Sequence, residues 1–501
     1  MLSPPRPSFD EWLELRKTAS IVPVTREVLA DTLTPVGAHA ALGGGEGSYL
    51  LESVVGGEKW ARYSFVGFDP DLRVRGRADR IEIRSGSLTG GRVQTETGVD
   101  PWARLRAILA EYRAPELPWL PRFWGGAVGY VAYDAVRAFE PKALRDDDRR
   151  GEGEWDFSFA IGGPLVIFDD LKQTARVVIP VSSAVSDARA AYDDALARID
   201  GAIARMQRNV ALRAMSPPGP PRHDLPLPAS SFDADRFRAA VEQAKEHIRA
   251  GDIFQVVLSQ RFRVPSQGID AFDVYRALRA INPSPYMFFL RFAECRIAGA
   301  SPETLVRLEG RTAEVRPIAG TRRRGASDED DARAAEDLIA DPKERAEHVM
   351  LVDLGRNDVG RVCRAGTVRL TEQMAIERYS HVMHMTSNVA GELAEGKDAI
   401  DLLAATFPAG TLSGAPKVRA MQIIDALEPE PRGIYGGAVG YLSWNGNLDV
   451  AIAIRTLVEQ DGELRVQAGA GIVEASDPQA EYDETVNKAR ATLAAIESAR
   501  G

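Results

Sequence analysis

Gly125-Gly-Ala-Val-Gly-Tyr130 recurs letter for letter as Gly436-Gly-Ala-Val-Gly-Tyr441. In both copies the glycine pair leads into an apolar, strand-like segment, so a related strand in two matching sheets is expected. Elsewhere strands and helices alternate irregularly. The steady βαβα rhythm of a doubly wound parallel sheet is missing.

The chain of 501 residues has room for two or three domains, or for one large α/β unit. Its clearest punctuation is Ser216-Pro-Pro-Gly-Pro-Pro221, extended by Pro226 and Pro228, which can continue neither a helix nor a central strand. Residues 216–230 are therefore expected to link an N-terminal region (1–215) to a C-terminal one (231–501). A helical pattern precedes the linker, from Ser186 to Ala214. After it Phe237, Val241, Ala244 and Ile248 recur at helical spacing until Gly251, and a strand-like run follows from Ile253 to Val264.

A net charge of −10 argues against a general nucleic-acid binder. The basic run Arg322-Arg323-Arg324 lies close to the acidic stretch Asp328 to Asp331 and reads as a solvated loop. No apolar run reaches the length of a membrane span, and the start, Met-Leu-Ser-Pro-Pro-Arg-Pro, lacks the apolar core of a secretion signal. Cys295 and Cys363 sit in no metal or redox motif, so a reducing cytoplasm is the expected setting.

Two segments each begin at an Asp-Pro step, a helix start signal, and carry a Glu pair three residues apart. Asp341-Pro342 leads to Glu344 and Glu347; Asp477-Pro478 leads to Glu481 and Glu484, with Lys488 a turn further on. That spacing puts each pair on one face of a short helix. The pairs are either two solvated faces or four carboxylates suited to a hard divalent cation. Gly410-Thr-Leu-Ser-Gly-Ala-Pro-Lys417 misses the spacing of a phosphate loop, yet its turn into a helix at Val418–Leu427 could offer backbone amides to a carboxylate. Arg455 closes the strand-like run Leu448-Asp-Val-Ala-Ile-Ala-Ile-Arg455, on the face of Ala451 and Ala453, where it would bind a carboxylate or make a structural ion pair. Strand alternation from Arg378 to Val389 groups His384 with Thr386 and Asn388, making His384 the better candidate base; His381 points the other way.

Together these segments resemble the chorismate-utilising enzyme family, over nearly the whole chain and most densely from Gly251 to Lys488. The matching stretches include Gly251-Asp-Ile-Phe-Gln255, Gly299-Ala-Ser-Pro-Glu303, Pro317-Ile-Ala-Gly-Thr321, Asp353-Leu-Gly-Arg-Asn-Asp358, Gly410 to Lys417, Gly433-Ile-Tyr-Gly436, Ile452 to Thr456 and Gly469-Ala-Gly471. The resemblance implies an α/β (α+β) fold of two large antiparallel sheets packed face to face with helices outside. It implies a Mg²⁺ among Glu344, Glu347, Glu481 and Glu484, some reached through water, binding the ring carboxylate of chorismate. Arg455, Tyr435 and the backbone at Gly469 and Gly471 would hold the enolpyruvyl carboxylate. Thr411 would line the pocket, and Lys488 would add positive charge. Glu303 would be the general acid for the departing ring hydroxyl, and His384 would act in the later elimination of pyruvate.

Single positions select the reaction. In isochorismate and salicylate synthases a water-activating Lys occupies the site matching Gln255, and an amide cannot be that base. In aminodeoxychorismate synthases a Lys in Pro-Ile-Lys-Gly-Thr attacks the ring; here that position is Ala319, which carries no nucleophile. Direct attack by ammonia is therefore expected, followed by loss of pyruvate to leave anthranilate; aminodeoxychorismate synthesis is the nearest alternative. Neither cysteine resembles a glutaminase nucleophile, so a separate glutamine amidotransferase subunit is the implied partner in a hetero-oligomer. Glu52, Ser53, Pro285, Tyr286 and Met287, with Val439 and Tyr441 nearby, match the family's tryptophan feedback site.

Overall fold

The computed structural model describes residues 3–54, 62–86, 91–145, 150–151, 153–208, 210–217, 226–325, 327–378 and 382–500. Two 12-stranded sheets organise the chain. The first runs Ile21–Leu29, Thr174–Ser182, Leu165–Asp169, Tyr63–Gly67, Tyr49–Glu52, Tyr286–Arg291, Arg296–Ser301, Thr456–Gln460, Glu463–Ile472, Gln255–Pro265, Ala229–Ser230. The second runs Ile318–Arg323, Val382–Glu392, Thr312–Val315, Thr304–Glu309, Leu448–Ile452, Ala438–Ser443, Gly126–Val131, Phe157–Ile161, Leu72–Arg77, Arg80–Ser85, Arg92–Thr97. Gly414–Ala415 adds to the first sheet beside Gln255–Pro265, and Arg369–Arg378 to the second beside Val382–Glu392. Neighbours pair antiparallel, as in Val257↔Gly471 and Ala319↔Met385.

Between the sheets lies an apolar layer containing Val128, Tyr130, Ile167, Phe288, Leu290, Val439 and Tyr441. A second core forms where the helices Pro35–Leu42, Ala188–Met206, Ala271–Ile281 and Pro478–Arg500 cover the first sheet. A third forms under Pro101–Ala110, Pro342–Gly360 and Ala399–Thr406 on the second sheet. Burying one face of each helix and both faces of the central strands supplies the main stabilisation of such a layered fold. Segments before and after 216–230 build both sheets: Met287 pairs with Glu52 in the first, and Tyr441 with Val128 in the second. Positions 218–225 of the linker lie outside the described residues, as does His381.

The repeated hexapeptide corrects one expectation. Its copies do not occupy two matching sheets; they are adjacent antiparallel strands of one sheet, with Gly440 opposite Gly129 and Val439 opposite Tyr130. Close approach explains the shared glycines. A Cβ on Gly129 would lie 1.9 Å from the Ser158 carbonyl oxygen, and one on Gly440 would lie 2.1 Å from that of Asp449.

The Asp-Pro starts are present, but the helices are long. Asp341 Oδ1 accepts from the amides of Lys343 and Glu344, opening Pro342–Gly360, a helix of 19 residues. Asp477 caps Pro478–Arg500, of 23 residues, through the amides of Gln479 and Ala480. The basic run is not a solvated loop. Arg322 and Arg323 end the strand Ile318–Arg323, Arg322 pairs with Asp341 and Glu344, and Arg324 pairs with Asp331 of the acidic stretch.

Candidate active site

The site is built where the two sheets exchange strands. Leu448–Ile452 belongs to the second sheet and Thr456–Gln460 to the first, so the chain crosses between them at Ala453, Ile454 and Arg455. Arg455 is thus off the strand that alternation assigned it, and it takes a left-handed backbone with φ +49°. Such a conformation is uncommon for a side chain of this size and marks a constrained position. Among the described residues no hydrogen bond or ion pair engages its guanidinium, and burial holds its pKa below the usual arginine value. A half-buried guanidinium that no described side chain engages is a site for a carboxylate.

Glu303 stands just before Thr304–Glu309, its backbone carbonyl accepting from the Ile452 amide at 3.0 Å. The Thr411 hydroxyl, in the turn Gly410–Leu412, donates to Glu303 Oε1 at 2.8 Å. Burial pushes the Glu303 carboxyl up to about 7, against the opposing influence of Thr411, Arg455 and Lys488. A carboxyl poised there can give up a proton near neutrality.

The floor is the strand Glu463–Ile472. Gly469 and Gly471 share one of its faces. A Cβ on Gly469 would lie 2.8 Å from the Tyr435 hydroxyl, and one on Gly471 would lie 2.7 Å from Gln255 Nε2. The glycines let Tyr435 and Gln255 approach bare backbone, and Lys488 Nζ donates to the Gly469 carbonyl at 3.0 Å. Burial raises the Tyr435 phenol, so it stays protonated as a donor.

His384 lies on Val382–Glu392, grouped with Thr386 and Asn388 while Met383 and Met385 enter a small apolar cluster. Its Nδ1 lies 3.1 Å from the Gly320 carbonyl and 3.1 Å from Thr321 Oγ1. Donation from Nδ1–H to that carbonyl would set the tautomer that carries its lone pair on Nε2. Burial, helped by the Arg455 charge, lowers its pKa from 6.5. Ala319 sits beside Gly320, buried and paired with Met385.

The Glu pairs of the two long helices approach each other. Burial raises the Glu347 carboxyl first, and the charges of Glu344 and Glu484 raise it further. Glu481 is likewise raised by burial and by Glu484, against a hydrogen bond from Ser476. Glu344 is paired with Arg322 at 3.1 Å and Glu484 with Lys488 at 2.6 Å. Among the described residues no three acidic or His/Cys groups converge as a closed metal site. The donor set still fits a hard cation: the charges of Glu344 and Glu484 raise Glu347, and that of Glu484 raises Glu481, a repulsion a divalent ion would relieve.

A second pocket lies between the sheets, lined by Leu51, Glu52, Ser53, Pro285, Tyr286, Met287, Val439 and Tyr441. It gathers all seven residues matched to the tryptophan site. Glu52 turns its carboxylate away, to Tyr275 and Arg279. Sequence reasoning missed the charges here. Asp449 receives Tyr286 Oη on Oδ1 (2.9 Å) and Arg122 and Arg307 on Oδ2 (2.9 and 3.1 Å). An Asp inside the apolar run Leu448-Asp-Val-Ala-Ile was a usable signal. Arg432 was missed as well: paired with Glu428 at 2.6 Å, it donates to the carbonyls of Leu412 and Val257, fixing the Thr411 turn against the Gln255 strand. No local pattern announced it.

A half-buried acid, an arginine that no described side chain pairs, a bare glycine face and facing carboxylate pairs suit a small, multiply charged carboxylate substrate. The family model described as chorismate binding enzyme matches residues 56–494, and the chain belongs to that family. Its relatives narrow the branch. It is 46% identical over 493 residues to anthranilate synthase component 1 of Aquifex aeolicus, covering 98% of each chain. It is 48% identical over 507 residues to that of Cereibacter sphaeroides, again over 98% of each. The crystal structure of anthranilate synthase component I from Streptococcus pneumoniae is similar with a TM-score of 0.74 at 36% identity, over 93% of this chain and 98% of that one.

Proposed function

We propose that this chain aminates chorismate with ammonia and then eliminates pyruvate, leaving anthranilate. The observation that carries the reading is the juxtaposition of Glu303, protonated near neutrality beside Thr411, with the unpaired guanidinium of Arg455. Arg455 and Tyr435 would take the enolpyruvyl carboxylate over the bare face of Gly469 and Gly471. Glu303 would protonate the ring hydroxyl, which leaves as water as the ammonia nitrogen bonds to the ring. His384 Nε2 would then accept the ring proton while the C–O bond to the enolpyruvyl group breaks, and the released enolate picks up a proton to become pyruvate. Neither Gln255 nor Ala319 offers a base for water or a nucleophile for the ring.

Glu344, Glu347, Glu481 and Glu484 would hold Mg²⁺, which when bound supplies positive charge for the ring carboxylate. Ammonia would come from a separate glutamine amidotransferase subunit, and tryptophan would bind the Tyr286–Tyr441 pocket as feedback inhibitor. A cytoplasmic setting agrees with two free, buried cysteines. Among the described residues no helix is long and apolar enough to cross a membrane.

The test is to incubate the purified chain with chorismate, Mg²⁺ and an ammonium salt at mildly alkaline pH. Anthranilate and pyruvate in equal amounts are expected. An aminated product that keeps its enolpyruvyl group would transfer the chain to aminodeoxychorismate synthesis; a hydroxylated product, or no turnover, would overturn the reading.

A further inference from the structure

Each Glu pair has one carboxylate held by a cation of the protein itself and one without an ion pair. Arg322 Nη1 lies 3.1 Å from Glu344 Oε1, and Lys488 Nζ lies 2.6 Å from Glu484 Oε1. Among the described residues no ion pair reaches Glu347 or Glu481, the two whose carboxyls are raised. The Arg322 contact is the more directional. Its guanidinium spans from the strand Ile318–Arg323 to the first turn of Pro342–Gly360, with Nη2 2.8 Å from Asp341 Oδ2 and Nη1 also donating to the Thr321 carbonyl at 3.0 Å. The other oxygen of Glu344, Oε2, leans on Gly320, where a Cβ would stand only 3.0 Å away. Both oxygens of Glu344 are thus drawn to the strand.

Helix capping does not require this contact. Asp341 Oδ1 already accepts from the amides of Lys343 and Glu344, and Arg322 takes the other oxygen. Stability gives little reason for it either, because an ion pair exposed to this degree contributes little to folding. The remaining consequence is electrostatic. A cation on Glu344 relieves the repulsion among four carboxylates, and any metal ion that ligates Glu344 must first remove it.

We propose that Arg322 is an internal counter-cation that competes with the divalent metal for Glu344. This inference rests on the metal reading above. The carboxylate pairs stay folded close together without metal, and metal affinity is held low until a substrate carboxylate adds its own oxygen to the donor set. Arg322 touches neither substrate nor reacting atoms; it acts through Glu344.

The experiment measures Mn²⁺ binding to the full chain by the loss of the free-ion paramagnetic signal, with and without chorismate. Arg322→Gln is expected to bind Mn²⁺ roughly two- to fivefold more tightly than wild type without chorismate, the size of one partly exposed ion pair. Arg322→Lys, which keeps a positive charge in place, is expected to stay near wild type. Unchanged or weaker Mn²⁺ binding by folded Arg322→Gln would overturn the proposal, as would an equal gain in Arg322→Lys. If Arg322→Gln does not fold, Arg322→Met, which keeps the apolar stem, is read the same way. Wild-type protein that binds no Mn²⁺ even with chorismate would remove the metal reading itself. Binding by wild type with no gain in the variant would remove only the competition.

Discussion

The pocket between the sheets and the site around Glu303 differ in how their charges are settled. Around Tyr286 and Tyr441, Arg122 and Arg307 share Asp449, and the tyrosine hydroxyls join the same network. Around Glu303, no described side chain pairs with Arg455 and the acid keeps its proton to about 7. The paired set is shaped to admit a molecule without changing its own ionisation. In the other site the Arg455 charge stays uncompensated, beside a protonated acid, until a ligand completes it. Between these two sites, the unshared guanidinium points to chemistry and the shared aspartate to shape.

The most severe way to break the contrast is Glu303→Gln. Losing the proton donor is expected to lower kcat about 1,000-fold without destabilising the fold; a drop below tenfold would assign the acid elsewhere. In the pocket between the sheets, Asp449→Ala should act on the fold, since it removes the carboxylate that Arg122 and Arg307 share. We expect a loss of about 3 kcal/mol in denaturant unfolding, together with loss of the tryptophan inhibition proposed for that pocket. Arg455→Gln should do the reverse. The KM for chorismate should rise on the order of 100-fold with no loss of stability, because no protein partner is abandoned. A destabilised Arg455→Gln would mean that the guanidinium has structural work as well.

The smallest effect is in pH. Glu303 binds its proton more tightly in the folded chain, at about 7, than at the ordinary value of 4.5. Its contribution to stability is therefore complete below about 4.5 and is lost as pH rises through about 7. Glutamine cannot titrate, so Glu303→Gln should gain on wild type in unfolding experiments as pH is raised from 5 to 8. Parallel curves would show that the carboxyl is not perturbed.

What was legible in the sequence depended on how local its cause was. The Asp-Pro caps, the Glu spacing and the two faces of the His384 strand follow from helix and strand periods, and the structure contains them. Arg455 was misplaced because alternation has no way to register that a strand has ended and the chain has changed sheets. The repeated hexapeptide was recognised, but its pairing with its own copy is a tertiary fact that no local period encodes. Arg322 was read as solvated because its partners, Asp341 and Glu344, lie about twenty residues on, at the start of another element.

The crossing at Ala453 to Arg455 has a mechanical side. Three residues are too few to absorb a tilt of one sheet against the other, so the torsions at Arg455 must follow any such tilt. Its side chain then behaves like the pointer of a balance whose two pans are the sheets. On the proposed function, in which Arg455 holds the substrate carboxylate, any such tilt would be felt at the substrate.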